Sequence, residues 1–559
     1  MKSFKTLFFL GAFLLFSTGC KNKTSKQVPG LASINLLRGE LVICSSDQFG
    51  DVSFSLACDY TVRETFDLAV SLLHSFEYVE AEKAFVQVLD VDPDCAMAYW
   101  GVAMSIFHSL WIQTDTKYLE KGSKLLKIAE TLPKSEKAKD YLEAITIFYK
   151  DWQTIDKETR VLLYESKMEA LYEKYNEDLE AAVFYALALR TSADPNDKSY
   201  KNQKKSGKIL EDLFIDQPNH PGIAHYIIHN YDYPELAHLA LSTARSYASI
   251  APASAHAQHM PSHIFTRLGL WEESISSNLN STSSAKCYAE QVEMEGNWDE
   301  EIHGVDYLVY AYLQLGKVDE AKDLVDYLTS IKKFNKIGTK AAYPSAAIPA
   351  RFYLETRQWD KASKLEMSLQ DFPSIEFPWS NGIIHFTRIL GAVHSNDIVA
   401  AKNDLEQLRK CHEYLLSDRN QYMADQVLIM VKAANAWINL FEGNNEDALT
   451  LMKASAEIEL STDKQALTPG EVLPAQELLG DLLIELDEPA KALEAYNLNL
   501  SIRPNRFNSI YGAAIASKLS GNQEKAAMYF KQLLKLVENS NSDRTEIKEA
   551  SDFLLQKAM

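Results

Sequence analysis

The sequence predicts an all-α fold, an α-solenoid of helical hairpins wound into a superhelix with a concave groove. Three observations predict it. From about Thr61 onward, apolar residues recur with a period near 3.6. Alternating strand patterns are almost absent, Leu41 to Phe54 being the one stretch with that character. A short signature also recurs along the chain: a turn, acidic residues, then a small residue opening the next helix. It reads Gly269-Leu-Trp-Glu-Glu-Ser-Ile, Leu315-Gly-Lys-Val-Asp-Glu-Ala, Arg357-Gln-Trp-Asp-Lys-Ala, Glu442-Gly-Asn-Asn-Glu-Asp-Ala and Ser520-Gly-Asn-Gln-Glu-Lys-Ala.

Composition agrees with this class. The chain has 559 residues, 46% hydrophobic and 24% charged, the balance of a globular protein and not of a disordered or polytopic one. Its length exceeds one compact core but suits a repeat array. The formal net charge of −20, without a basic stripe, argues against nucleic-acid binding. No GxGxxG, GxxxxGK[ST] or GxSxG motif occurs, so dinucleotide, phosphate-loop and hydrolase-elbow readings lack support.

The N-terminus comes first. Residues 1–19 read as a secretory signal: Lys2 and Lys5 are positive, and Leu7 to Phe16 is apolar but too short to span a bilayer. Ser17-Thr18-Gly19-Cys20 follows and resembles a bacterial lipobox, with Ser17 where Leu is usual. The resemblance implies that Cys20 is acylated and becomes the new N-terminus. It places the protein at the cell envelope, lipid-anchored to a bacterial membrane outside the cytoplasm, with the outer membrane expected. Residues 20–60 are the lipidated cysteine followed by a tether and irregular segment. An extracytoplasmic compartment permits disulfides, and Cys44 with Cys58 is the only local pair.

The body divides into N-terminal helical repeats (61–215), His-rich repeats (216–335) and C-terminal repeats (336–559). Small residues line up as Ala81, Ala240, Ser274, Ala321, Ala362, Ala401, Ala448, Ala492 and Ala526. This pattern resembles the tetratricopeptide repeat (TPR) family, whose 34-residue unit is two antiparallel helices. The likeness covers most of the chain from Thr61 onward. It is sharp at 62–95, 221–254, 255–288, 473–506 and 507–540, whereas 96–215 are helical but poorly phased. Each hairpin buries its apolar face only by stacking on neighbours, and the small residue stands where its two helices meet. The resemblance implies a groove lined by positions 2, 5, 9, 12 and 13 of each first helix, with a protein or peptide segment as its usual cargo.

Histidine is the one chemical signal. Seven of the 13 histidines fall between His220 and His263, where an even spread would put about one. His225 and His229 are four apart, as are His259 and His263, so each pair shares a helix face. The pairs are 34 residues apart, one repeat. They take positions 5 and 9 of successive units, His256 takes position 2, and the next unit offers His303 and Asp306 at positions 2 and 5. Nitrogen-rich ligands with a carboxylate suit Zn, Fe, Cu or Ni. Pro261 between His259 and His263 either kinks a helix that begins near His256 or opens one that begins near Met260.

Two readings follow. The favoured one is a membrane-anchored extracytoplasmic TPR scaffold that binds a protein or peptide in its groove. The alternative is a metal-binding protein or metalloenzyme using His225, His229, His256, His259, His263, His303 and Asp306. Enzymatic activity is disfavoured, because position 226 is Tyr where a zincin HExxH helix needs Glu. The same cluster, metal-free, would form a recognition surface. A glycan-binding lipoprotein similar to SusD-type proteins ranks last, since the repeats run to the C-terminus and leave little room for that class's irregular insert.

Overall fold

A computed structural model describes residues 28–44, 48–54, 58–112, 114–366, 376–464 and 467–558. The described chain is an α-solenoid: helices follow one another as antiparallel hairpins, and a single isolated bridge, Asn297 to Phe334, is its only β pairing. The sharply patterned units fold as expected: Arg63–His74 with Tyr78–Val91, Pro221–Tyr231 with Leu241–Ile250, Ala475–Glu485 with Pro489–Ile502, and Phe507–Leu519 with Gln523–Leu536. The poorly phased stretch supplies three more hairpins: Ala96–Phe107 with Thr116–Thr131, Glu136–Tyr149 with Lys157–Lys174, and Leu179–Thr191 with Lys201–Phe214. At their turns His108, Asp151 and Tyr200 take the left-handed conformation that glycine takes at Gly269, Gly316, Gly443 and Gly521.

Close helix approach explains the small residues. Ala81, Ala240, Ser274, Ala321, Ala362, Ala401, Ala448, Ala492 and Ala526 are all fully buried. The Tyr496 ring shows how tight the contacts are: it lies against both Gly480 and Gly512, where a Cβ would overlap it.

The superhelix winds far enough to bring late repeats back onto middle ones. The Trp271 indole donates to the Asn505 carbonyl at 2.9 Å, the Phe507 amide donates to Gln314 Oε1 at 3.0 Å, and Ser540 Oγ donates to the Gly316 carbonyl at 2.8 Å. Arg506, fully buried, pairs with Glu355 at 2.6 Å and Glu477 at 2.7 Å and donates to Tyr310 Oη at 3.1 Å. Such a buried cation is tolerated because both carboxylates and a hydroxyl surround it. The segment between Asn445–Ser461 and Ala475–Glu485 is drawn inward by the same closure. Arg351 donates to the carbonyls of Gly470 and Glu471, and Tyr307 Oη donates to that of Thr468.

The N-terminal segment corrects two expectations. Leu41 to Phe54 forms no strand over its described residues; it is an irregular arm held from outside. The Val42 amide donates to Glu80, the Asp51 amide to the Asn219 carbonyl, and Phe54 packs among Phe66, Trp100 and Tyr141. Cys44 does not pair with Cys58. Cys44 bonds to Cys287 and Cys58 to Cys95, because the arm crosses the helix Trp271–Gln291 and Cys95 caps the helix that follows Tyr78–Val91. Residues 1–27, including Cys20 and the signal, lie outside the described residues.

The Tyr496 contact yields a test. Gly512→Ala forces a Cβ into that ring, and overpacking of this kind costs roughly 1–3 kcal/mol. A lowered thermal midpoint with unchanged far-UV helicity is expected. An unchanged midpoint would show that the ring yields freely.

Candidate functional site

The six histidines converge, as two triads and not as one cluster. His225, His229 and His256 form the first, and His259, His263 and His303 the second; within each, one ligand atom per ring lies within 4.8 Å of the others. Both triads share one construction. Positions 5 and 9 of a first helix supply two rings, and position 2 of the next first helix supplies the third. His256 and His259 belong to different triads although one short helix, Ala255–His259, carries both.

Pro261 shapes the second triad. The helix Ala255–His259 ends one residue before Pro261–Arg267 begins, and Met260 between them keeps helical angles. The first helix of this unit is therefore interrupted at the proline, as its missing N–H requires. His259 and His263 still face each other, Nε2 to Nε2, at 3.0 Å.

Hydrogen bonds assign the protons. His225 Nδ1 lies 2.6 Å from the His74 carbonyl oxygen, which only accepts, so that nitrogen carries the hydrogen. Its Nε2 then presents a lone pair, 3.2 Å from His256 Nε2. His259 Nδ1 lies 2.7 Å from Asn278 Oδ1, and Asn278 Nδ2 donates to the Ser274 carbonyl at 2.8 Å, which orients the amide. His263 Nδ1 lies 2.9 Å from Asp232 Oδ2. That carboxylate is held ionised, well below the usual range: burial opposes this, but Lys464, Arg267 and His263 outweigh it. Both rings therefore direct lone pairs across the 3.0 Å gap. His229 Nε2 and His303 Nδ1 are buried and have no hydrogen-bond partner.

Facing lone pairs repel unless something positive lies between them. A proton is disfavoured here, because burial lowers the pKa of all six rings, that of His225 to about 3. Each triad has the donor set to hold a metal ion. With metal–nitrogen bonds of about 2.0–2.1 Å, nitrogens 3.0–3.2 Å apart subtend about 91–106° at one ion, between right-angled and tetrahedral geometry. The Nδ1 partners are the outer contacts that metal-bound imidazoles use to hold their tautomer.

A third group, His74, Glu180 and His220, contrasts with these. His74 Nε2 and His220 Nε2 meet the two Glu180 oxygens at 2.9 and 3.0 Å. His74 Nδ1 meets the Tyr226 hydroxyl at 2.9 Å, and His220 Nδ1 caps its helix by accepting from the Ile223 amide. Each ring nitrogen is satisfied within the protein, so the group needs no ion. It braces the first triad, since the His74 carbonyl fixes His225. Tyr226, in place of a zincin glutamate, is spent on the same brace.

Asp306 joins neither triad. It is fully buried and turned toward Arg351 at 3.3 Å, with Oδ2 unpartnered. Glu477 and Asp481, also at groove positions, serve Arg506 and the Tyr496 hydroxyl. The rings do not line an open groove: His225, His229, His259, His263 and His303 are buried, and the segment around Lys464 and Thr468 lies against Asp232 and Tyr307. Sequence reasoning missed the outer partners Asp232 and Asn278 and the covering rings Phe76, Trp111 and Tyr307. Asp232 stands only three residues beyond His229, a spacing that carries no signal by itself. Phe76 and Trp111 approach from more than one hundred residues away.

No protein-family model matches the chain, and no curated protein matches it. Among solved structures, the human IFIT1 dimer with PPP-AAAA is similar over 84% of this chain and 89% of that one, at 10% identity and a TM-score of 0.34. Yeast Tom70 is similar over 89% and 97%, at 11% identity and a TM-score of 0.33. The helical-repeat architecture rests on the coordinates themselves.

Burial of neutral imidazoles has a consequence for the metal-free protein. Rings with pKa values below the ordinary 6.5 bind fewer protons folded than unfolded, so the stability they contribute is present above about pH 6.5 and is lost as pH falls toward the folded values. Metal-free protein should lose thermal stability between about pH 6.5 and 4. His229→Leu, which removes one such ring, should flatten that slope relative to the parent, and an unchanged slope would contradict the neutral assignment.

Proposed function

We propose that this helical-repeat protein binds two transition-metal ions, one on each histidine triad. One observation carries the reading: three imidazoles converge at each triad, His259 and His263 turn lone pairs to each other at 3.0 Å, and one further ring nitrogen is orphaned at each triad, His229 Nε2 and His303 Nδ1. Unpartnered buried polar groups cost roughly 1–3 kcal/mol each, and an ion on each triad removes that cost at His229 Nε2 and His303 Nδ1. Three imidazoles without a thiolate or carboxylate in direct contact suit Zn, Cu, Ni or Fe. Three protein ligands also leave a coordination position for a further ligand.

Capture of a peptide or protein partner is the other reading that the repeat architecture supports. The segment 467–471 packs on Tyr307, Tyr343 and Arg351, on the inner face beside the second triad. A partner would have to share or displace that contact, so metal binding takes precedence.

Envelope anchoring through Cys20 belongs to the same proposal. Two disulfides, one joining the arm to a helix 243 residues away, support an oxidising compartment. Among the described residues no helix is long and apolar enough to cross a membrane.

Elemental analysis of protein made in metal-replete medium should find two equivalents per chain. His225→Ala and His259→Ala should each lose one equivalent with helicity retained, and the double variant both. Metal at background in the parent protein ends the proposal. Asp232→Asn, which weakens the contact behind His263, should lower retention at the second triad by about 10–100-fold. For the anchor, Cys20→Ala should move the protein from the membrane fraction to the soluble one, and retention in membranes would refute acylation.

A further inference from the structure

The two triads have the same ligands but different surroundings. The second triad is the more deeply buried, with Lys464 beside its Asp232 at 3.6 Å. Its three rings are 2%, 2% and 6% exposed, and Tyr307, Asn278 and Asp232 close it on all sides that the contacts reveal. A carboxylate stands behind His263, itself held by Arg267 at 2.8 Å. A carboxylate in that position raises ligand basicity and strengthens metal binding.

The first triad is built otherwise. Behind His225 stands only a neutral backbone carbonyl. His256 is half-buried where the other five rings are buried. Its outer wall consists of two aromatic rings. Phe76 lies 4.4 Å from the His225 ring and 5.6 Å from each of His229 and His256. Trp111 stands steeply inclined to both rings, 5.7 Å from His229 and 6.1 Å from His256, and is 49% exposed. Trp111 therefore lies between solvent and two candidate ligands. The wall also stores backbone strain: Phe76 at φ 60° and His108 at φ 50° adopt the left-handed conformation without being glycine. Trp111 sits three residues past His108, its amide donating to the His108 carbonyl at 2.8 Å. No comparable strained aromatic turn faces the second triad among the described contacts.

Resting on the two-metal reading, we infer that the triads divide the work: His225, His229 and His256 form the exchangeable centre, reached from solvent past Trp111, and His259, His263 and His303 form a permanent one. Three ligands leave a coordination position, and at the first triad that position is one ring from water. The ligand class that fits is small and neutral or anionic, such as water or hydroxide, since the aromatic wall admits little else without moving. The second ion, sealed and backed by Asp232, holds two successive repeats together and so supports the first.

Zinc-loaded protein mixed with excess 4-(2-pyridylazo)resorcinol, which colours on taking zinc, tests this. Two release phases of one equivalent each are expected, separated by about 10-fold or more, the span that outer-contact differences alone produce. His229→Ala should abolish the fast phase, and His263→Ala the slow one. Trp111→Ala should quicken the fast phase and leave the slow phase unchanged, while Trp111→Phe should restore the parent rate. Titration with Cu(II) adds a readout independent of release: the exchangeable equivalent should quench indole fluorescence, and Trp111→Phe should remove that part of the quench. Two equivalents that leave at one rate, or a fast phase lost in His263→Ala instead, overturn this inference and leave the two-metal reading standing. A parent protein that binds no zinc overturns both.

Discussion

Two imidazole lone pairs pointed at each other in a dry interior are an unstable arrangement, and this protein builds it at His259 and His263. Everything around the triads serves to hold it. Backbone carbonyl, amide and carboxylate each take an Nδ1 hydrogen, which commits the opposite nitrogen to the gap. Burial then keeps a proton out, because charging a ring there is costly. The neighbouring group of His74, Glu180 and His220 has similar composition and similar burial, yet every nitrogen in it is satisfied. The difference between a structural histidine cluster and a ligand set thus lies in where the second nitrogen of each ring points.

Repetition makes the arrangement cheap to encode. A solenoid places equivalent positions of successive units one helix spacing apart, so a pair at positions 5 and 9 and a third ring at position 2 of the next unit meet without special loops. The proline in the second unit interrupts the helix but leaves the pair in contact. Closure of the superhelix does the remaining work. Trp271 with Asn505, Gln314 with Phe507 and the buried Arg506 pairs draw the late repeats onto the middle ones, and the segment around Thr468 seals the inner face beside Tyr307. That seal helps bury the rings of the second triad, expected on an open groove.

Much of the fold was legible because its signals are local. The recurrent turn, the buried small residue and the 3.6 period recur wherever hairpins are regular, and the structure places all nine small residues at full burial. Local signals failed over residues 96–215, whose three hairpins form without the recurrent signature. Cysteine pairing escaped for the opposite reason: nearness in sequence favoured Cys44 with Cys58, whereas the arm's path across the solenoid decided both bonds.

The sequence by itself determined the helical class, the regular hairpins outside residues 96–215 and which six imidazoles share a register, because each depends on spacing along one chain. Tertiary structure alone decided that the six divide three and three, that Asp306 turns to Arg351, and that Phe76 and Trp111 wall one triad while Asp232 and Tyr307 enclose the other. Those outcomes depend on how far the superhelix winds and on which distant backbone supplies an acceptor, and neither quantity is written in any short stretch of residues.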